Sequence, residues 1–408
     1  MPDVVAYPFV RVQIDTSALT PIAQRAPNVI AIVGSAAAFQ VNGANIPIKP
    51  LPAGNASADP DIPFHVSNLD DAAALFGAVA DGNLNRSPLY NALEMALLQD
   101  PGPSKVYGVA IGGDGVGAAL AALEGASDVT FVALAGEAGV APLTALKNHV
   151  ENMSAGGQKR LGVAMVDTTT AKSATYAADV AATYNDLKSG VGRMVLVAAR
   201  GATRTDVLPN NTLVRYPADV ASAAMAAMAG YPPHVSVLMK KVRGFNIPVA
   251  QQYSPSEIIG LSEREIIPVI DPALIPGESL HFAEGCTFST DAALGYVDIV
   301  RVLDDIDFRL KAGLIGQIGD TRITRSGMQL LKTQIESILD PLLRGAVIDA
   351  YDIRIPLLEI LNVPEAARSP GDNALVAAAR ANRQVDARIT VTYGPAIHRL
   401  ELVLAPKF

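Results

Sequence analysis

The residues best suited to chemistry lie at 106–120, V-Y-G-V-A-I-G-G-D-G-V-G-A-A-L. An apolar run leads into Gly113-x-Gly115-x-x-Ala118 and then into a helix-type stretch. Glu137 closes the next apolar run, at about the 20-residue distance at which a carboxylate meets the ribose of a dinucleotide. Backbone N–H groups of such a turn could hold a pyrophosphate. This is the basis of one function class, an α/β nucleotide- or dinucleotide-dependent enzyme using the Gly112–Gly117 loop. Three features oppose it. Asp114 would put a like charge against the phosphates, the helix spans only about two turns, and glycine pairs arise readily in a chain with 33 glycines.

Other chemistry is sparser. The five histidines, His65, His149, His234, His281 and His398, form no i,i+4 pair and no H-E-x-x-H helix, so no metal centre is expected. Asp70 and Asp71 read as the acidic first turn of a helix, and Asp304 and Asp305 as neighbours pointing about 100° apart on another helix. The single cysteine, Cys286, cannot form an intramolecular disulfide and reads as a small buried hydrophobe; Glu284 lies nearer to it in sequence than His281. Neither a Gly-x-Ser-x-Gly elbow nor a Walker loop occurs, and tryptophan is absent. The expectation is no catalytic residue, no metal and no cofactor.

Half of the 408 residues are hydrophobic and 18% are charged, which allows two or three domains with sizeable cores. A net charge of −8 without a basic run speaks against nucleic acid or an anionic membrane as partner. No apolar stretch approaches the roughly 18 residues of a bilayer span. The first residues, MPDVVAYPFVRVQID, lack the form of a signal peptide, so synthesis and folding in the cytoplasm are expected.

From about residue 26 to 245, short buried-type apolar runs (NVIAIVGSA, KVYGVAIGG, DVTFVALAG, RLGVAMVD, GRMVLVAAR) alternate with helical patterns (SNLDDAAALFG, SPLYNALEMALLQD, AALAALEGA, PLTALKNHVENM, ATYAADVAATYNDL, PADVASAAMAAMAG). That alternation predicts an α/β layer with a mainly parallel sheet. Residues 40–63 read as an exposed loop or hairpin, and periodicity weakens over 246–290. Beyond it, the pattern is α+β. A long amphipathic helix carries Ile299, Val302, Leu303, Ile306 and Leu310, and a second starts near Thr324 and ends near Arg344-Gly345. The strand DAYDIRIP follows, then a loop with at most one helical turn over 362–384, then the strand DARITVTY. The expected division is an N-terminal arm and linker (1–25), an outer α/β domain (26–285) and an inner domain with a C-terminal β-arm (286–408).

Both ends alternate as half-buried strands do. Val10, Val12 and Ile14 share one face near the start, and Leu400, Leu402 and Leu404 share one near the end. Two readings stay open: both strands pair within one subunit, or they reach neighbouring copies and complete their sheets.

The order of segments resembles a contractile tail sheath protein of contractile-tailed phages, R-type tailocins and extracellular injection systems. The resemblance covers nearly the whole chain. Its most specific part is FSTDAALGYVDIVRVLDDIDFRLKAGL, which places Ser289, Asp291, Arg301 and Asp304 at matching positions, followed by LLRGAVIDAYDIRIP. NVIAIVGSA, NLDDAAALFG and LYNALEMALLQDPGPSKVYGVAIG match in outline. The resemblance implies a structural, non-enzymatic subunit of stacked hexameric rings around a tail tube, part of a virion tail or phage-tail-like particle. The implied partners are further copies of the chain, the tube protein, and baseplate and terminator or cap proteins. It implies arms that stay paired during contraction; the linker with Pro21 and Pro27 is then a hinge. Lys332, Glu336 and Asp340, at i, i+4 and i+8 on one polar helix face, would be the tube-facing candidates.

Overall fold

The structure is a computed structural model that describes residues 28–52, 57–208, 211–275 and 279–399. The chain divides into two compact units. One holds the described residues up to Ile306, Val347–Asp349 and the described residues from Thr392 onward; the other holds Asp307–Ala346 and Ala350–Val391.

The first unit is built on a nine-stranded sheet. Its strands are β1 (Val29–Gly34), β2 (Pro63–Val66), β3 (Lys105–Ala110), β4 (Phe131–Leu134), β5 (Leu161–Met165), β6 (Met194–Ala198), β7 (Lys241–Val242), β8 (Ile267–Ile270) and β9 (Leu280–Phe282). Their spatial order is β7-β9-β8-β6-β5-β4-β1-β3-β2. The run from β8 to β3 is parallel, while β2, β9 and β7 pair antiparallel at the two edges. Residues 246–290 therefore belong to this sheet, because β8 extends it beyond β6.

All six residues of β1 are buried. Ile30 and Ile32 join one core with residues of α1 (Leu69–Phe76), α2 (Pro88–Leu97) and α6 (Val220–Ala229). Val29, Ala31 and Val33 join a second core with α3 (Val116–Ala122), α4 (Val140–Ala155), α5 (Tyr176–Thr183) and α7 (Pro255–Ser262). A sheet covered on both faces needs continuous apolar strands, as the sequence pattern suggested. All ten residues of α6 are buried, which explains its run of alanine and methionine. Local chemistry sets the helix starts. Asn68 accepts the Asp71 amide at 2.9 Å, Ser87 accepts that of Tyr90 at 3.0 Å ahead of Pro88, and Asp219 accepts that of Ser222 at 2.9 Å.

The unit boundary falls within α8 (Val297–Leu314). In the second unit, α9 (Arg325–Arg344) starts after the cap Thr324 and buries Met328, Ile335, Ile338, Leu339 and Leu342 on one face. Gly313 meets that face closely: a Cβ there would lie 2.6 Å from Ile338 Cδ1. Next come β10 (Ala350–Arg354), α10 (Pro356–Asn362), α11 (Pro370–Asn382) and β11 (Arg388–Thr392). The 13-residue α11 replaces the loop expected over 362–384; Ser369 and Asp372 cap it reciprocally. The antiparallel hairpin Thr203–Val207 with Leu213–Pro217 was also not anticipated.

His149 of α4 is buried against Arg160, whose side chain is fully buried. Arg160 donates to His149 Nε2 at 2.9 Å and to the carbonyls of Leu123 and Ala126 at 2.7 and 2.8 Å. Burial, and then the arginine charge, push His149 from the ordinary 6.5 down to about 4. As pH falls below 6.5 the unfolded chain takes up a proton that the folded chain refuses, until about pH 4. Stability is therefore expected to decline across that window, as read by urea midpoints at pH 7.5 and 5. His149→Gln, which keeps an acceptor for Arg160, should flatten the decline; an unchanged pH profile in the variant would contradict this account.

Candidate functional site

The parallel strands run, in chain order, 2-1-3-4-5-6 across the sheet, so the reversal point lies between β1 and β4. In sheets of this kind, ligands bind outside the carboxyl ends at that point. There Gly34 lets the strand ends converge: a Cβ on it would sit 2.4 Å from Ala135 Cβ. A cavity of about 380 Å³ opens beside them, with Phe39, Met95, Leu134 and Ile111 as apolar wall and Glu137, Arg204 and Asp219 as its charged groups.

Those charges are already matched. The Asp219 carboxylate accepts the Gly136 amide at 2.8 Å and the Ser222 amide and hydroxyl at 2.9 Å each, while burial raises its pKa. Glu137 accepts the Gly139 amide at 2.7 Å, at the start of α4. Arg204 pairs with Glu94 at 2.8 Å and with Asp206 at 3.4 Å. Arg86 pairs with the same two carboxylates, at 2.8 Å for Asp206, and the Tyr216 hydroxyl donates to Asp206 at 2.5 Å. Two guanidinium groups and two carboxylates thus close a nearly buried ring that ties the hairpin to α2. Desolvation opposes the charge on Arg86, but its carboxylate partners prevail and raise its pKa.

The Gly112–Gly117 loop follows β3, the neighbour of β1, and not β1 itself, and it borders the reversal-point cavity through Val116, next to Ile111. Gly115 has φ +82° and caps α3, which has only seven residues. The Gly112 amide donates to Asp61 Oδ1 at 3.2 Å, and a Cβ on Gly112 would strike that carboxylate. With Asp61 on the loop amide, Asp114 in the loop and Glu137 spent on α4, the loop presents negative charge where a pyrophosphate would need donors. The residues present do not fit a dinucleotide.

The four family-type residues are brought to one place, the join between α8 and the sheet. Ser289 Oγ donates to Ser189 O at 2.9 Å, and Asp291 Oδ1 accepts the Ala293 amide at 2.9 Å. Arg301 is buried, donates to the carbonyls of Met228 and Tyr231 at 3.1 and 2.7 Å and lies over the Phe131 ring. Burial lowers its pKa to about 10. Asp304 binds Arg193 with both oxygens, at 2.5 and 2.9 Å. Their chemistry is that of positioning. Cys286 is buried nearby in sequence, and desolvation raises its pKa.

On α9, Lys332 and Glu336 pair at 3.9 Å, and Asp340 accepts the Tyr351 hydroxyl from β10; that bond pushes the tyrosine up to about 12. The three therefore share one half-buried flank. The most exposed face of the helix instead carries Ser326, Gln329, Leu330, Thr333 and Ser337, none of them charged and so unmarked by any spacing of charges. Val10, Val12, Ile14, Pro21, Pro27, Leu400, Leu402 and Leu404 lie outside the described residues. Among the described residues, no group of three or more His, Cys, Asp or Glu is placed to hold a metal ion, and no helix is long and apolar enough to cross a membrane.

An α/β unit with a doubly wound sheet, followed by a small α+β unit ending in a strand pair, defines the class. No family model matches the chain. No curated protein matches it either. Solved structures do. The helical sheath of the anti-feeding prophage in its contracted state matches 98% of this chain and 99% of its own, at 12% identity and TM-score 0.63. The sheath complex of the PVC extracellular contractile injection system, also contracted, matches 99% and 98%, at 13% identity and TM-score 0.62. The sheath tail protein of Desulfitobacterium hafniense matches 85% and 93%, at 11% identity and TM-score 0.56. The chain has the fold of contractile sheath subunits.

Glu94 is the carboxylate that both Arg86 and Arg204 share. Glu94→Gln leaves two guanidinium groups around one remaining carboxylate and is expected to cost about 3 kcal/mol of unfolding free energy in urea titrations. A loss below about 0.5 kcal/mol, the size of an exposed pair, would show that the ring carries no such load.

Proposed function

We propose that this chain is the structural subunit of a contractile tail sheath, and not an enzyme. It polymerises as hexameric rings around a tail tube and contracts to drive the tube through a target envelope. The observation that carries this reading is the end-to-end match with contracted sheath subunits, 98–99% of both chains. It is supported by the reversal-point crevice, whose charged groups are already engaged by backbone amides and ion pairs, and by β10 and β11. These two form a sheet of only two strands among the described residues. Such a pair is marginal by itself and gains from added strands.

On this reading, the arm residues Val10, Val12, Ile14 and Leu400, Leu402, Leu404 supply the added strands from neighbouring copies. The linker with Pro21 and Pro27 bends as the rings rotate. Residues 26–285 form the outer part and 286–408 the inner part. Lys332, Glu336 and Asp340 face the tube with a modest polar grip that contraction can release. The partners are other copies, the tube protein, and baseplate and terminator proteins, with no nucleic acid, no membrane insertion and no cofactor. The particle is a phage tail or a phage-tail-like device assembled in a bacterial cytoplasm. Contraction draws on interface burial between rigid bodies rather than on a nucleotide.

Purified full-length chain should form rings or long helical tubes in negative stain. Deleting 399–408 should leave circular dichroism and thermal midpoint near the parent's while abolishing polymers. Normal tubes from the truncated chain would overturn the strand-exchange account.

A further inference from the structure

Residues 392–399 run along the first unit held by two side chains. The Tyr393 hydroxyl donates to Asp298 Oδ2 at 2.6 Å, at the start of α8. Asp298 is buried, and among the described residues its other oxygen has no partner and Tyr393 is its one side-chain donor. Five residues on, His398 Nε2 lies 2.8 Å from Ser236 Oγ, and Nδ1 lies 3.3 Å from Glu284 Oε1. Tyr296 meets the imidazole edge-on at 5.0 Å. Only 16% of the His398 side chain and 13% of that of Glu284 are exposed. Gly285 makes room: a Cβ there would come 3.2 Å from Ser236 Oγ and 3.6 Å from His398 Cε1. Between the two pins, Ile397 is 81% exposed.

A Ser–His–Glu relay of this order can activate a hydroxyl. Here the histidine rides on the segment that the relay pins, and Ser236 Oγ already accepts the Leu238 amide at 3.3 Å. The contacts hold a strap. Nε2 meets the serine hydroxyl and Nδ1 lies beside the Glu284 carboxylate, so each ring nitrogen faces a polar group.

We propose that Tyr393 and His398 are the two pins of a strap that fixes the root of the C-terminal strand to its own subunit. This deepens the sheath reading and rests on it: an arm that pulls on a neighbour needs a fixed end. Each pin takes its partners from elements far away in sequence. Asp298 lies on α8, Glu284 follows β9, and Ser236 follows α6. The strap therefore passes a pull on the arm into the large sheet's unit at several points.

Trypsin reads the strap directly. Arg399 is exposed just beyond the second pin, and cleavage there requires the preceding residues to lift. In the unassembled fraction of the full-length chain, His398→Ala combined with Tyr393→Phe should raise the rate of cleavage after Arg399 about tenfold, with each single change giving less. Equal rates in a folded double variant would overturn the proposal. Should the double variant fold poorly, hydrogen exchange of the parent chain decides: slow exchange over 392–399 supports the strap, and exchange as fast as a free peptide overturns it. Imaging of the parent polymer tests the sheath reading separately, so a strap without tubes and tubes without a strap are distinguishable.

Discussion

A strand pair with no further strand beside it among the described residues is the constraint from which the strand-exchange proposal starts. β10 and β11 hydrogen-bond to each other, and among the described residues neither has a second strand neighbour. Ile353 is buried, and Tyr351, Ile389 and Val391 are half-buried, while the residues between them are exposed. One face of the pair thus leans on the α9 side of its unit, where Tyr351 meets Asp340. Among the described residues the outer edges of the pair face no further strand. An open edge is a hazard in a monomer and a connector in a polymer.

The large sheet answers the opposite demand. Its parallel strands leave no face for water, so α1, α2 and α6 cover one side and α3, α4, α5 and α7 the other. Of the charged groups that line the reversal-point crevice, Arg204 pairs with Glu94 and Asp206 in a ring that includes Arg86, while Glu137 and Asp219 accept backbone amides. A fold that elsewhere serves catalysis here keeps its charges for holding a hairpin against a helix.

Much of this fold was legible in the sequence, for a simple reason. β1, β4, β5 and β6 are short continuous apolar runs, and α1 and α2 carry their caps in plain sight at Asn68 and Ser87. What escaped lacked a period. The hairpin at 203–217 is mostly polar and half-exposed, so no apolar alternation marks it. α11 buries only Val376, but Ser369, Pro370 and Asp372 spell a capped start that the weak apolar pattern obscured. The ionic ring was illegible because its members, at 86, 94, 204 and 206, meet only through tertiary structure. Arg301 and Asp304 could be picked out by their resemblance to a family pattern, yet their partners, two carbonyls and Arg193, could not.

Identity of 12–13% with sheath structures at a TM-score of 0.62–0.63 shows one fold carried by very different residues. A catalytic centre fixes particular residues because bond making tolerates little displacement. A fold has to fix where its elements meet, and many apolar residues can do that if volume and pattern are kept. What then stands out are the few polar residues that no hydrophobe could replace. Arg301 satisfies two backbone carbonyls inside the core, Asp304 clasps Arg193 with both oxygens, and Ser289 and Asp291 shape the turn before α8. All four lie at or next to the helix that contains the unit boundary.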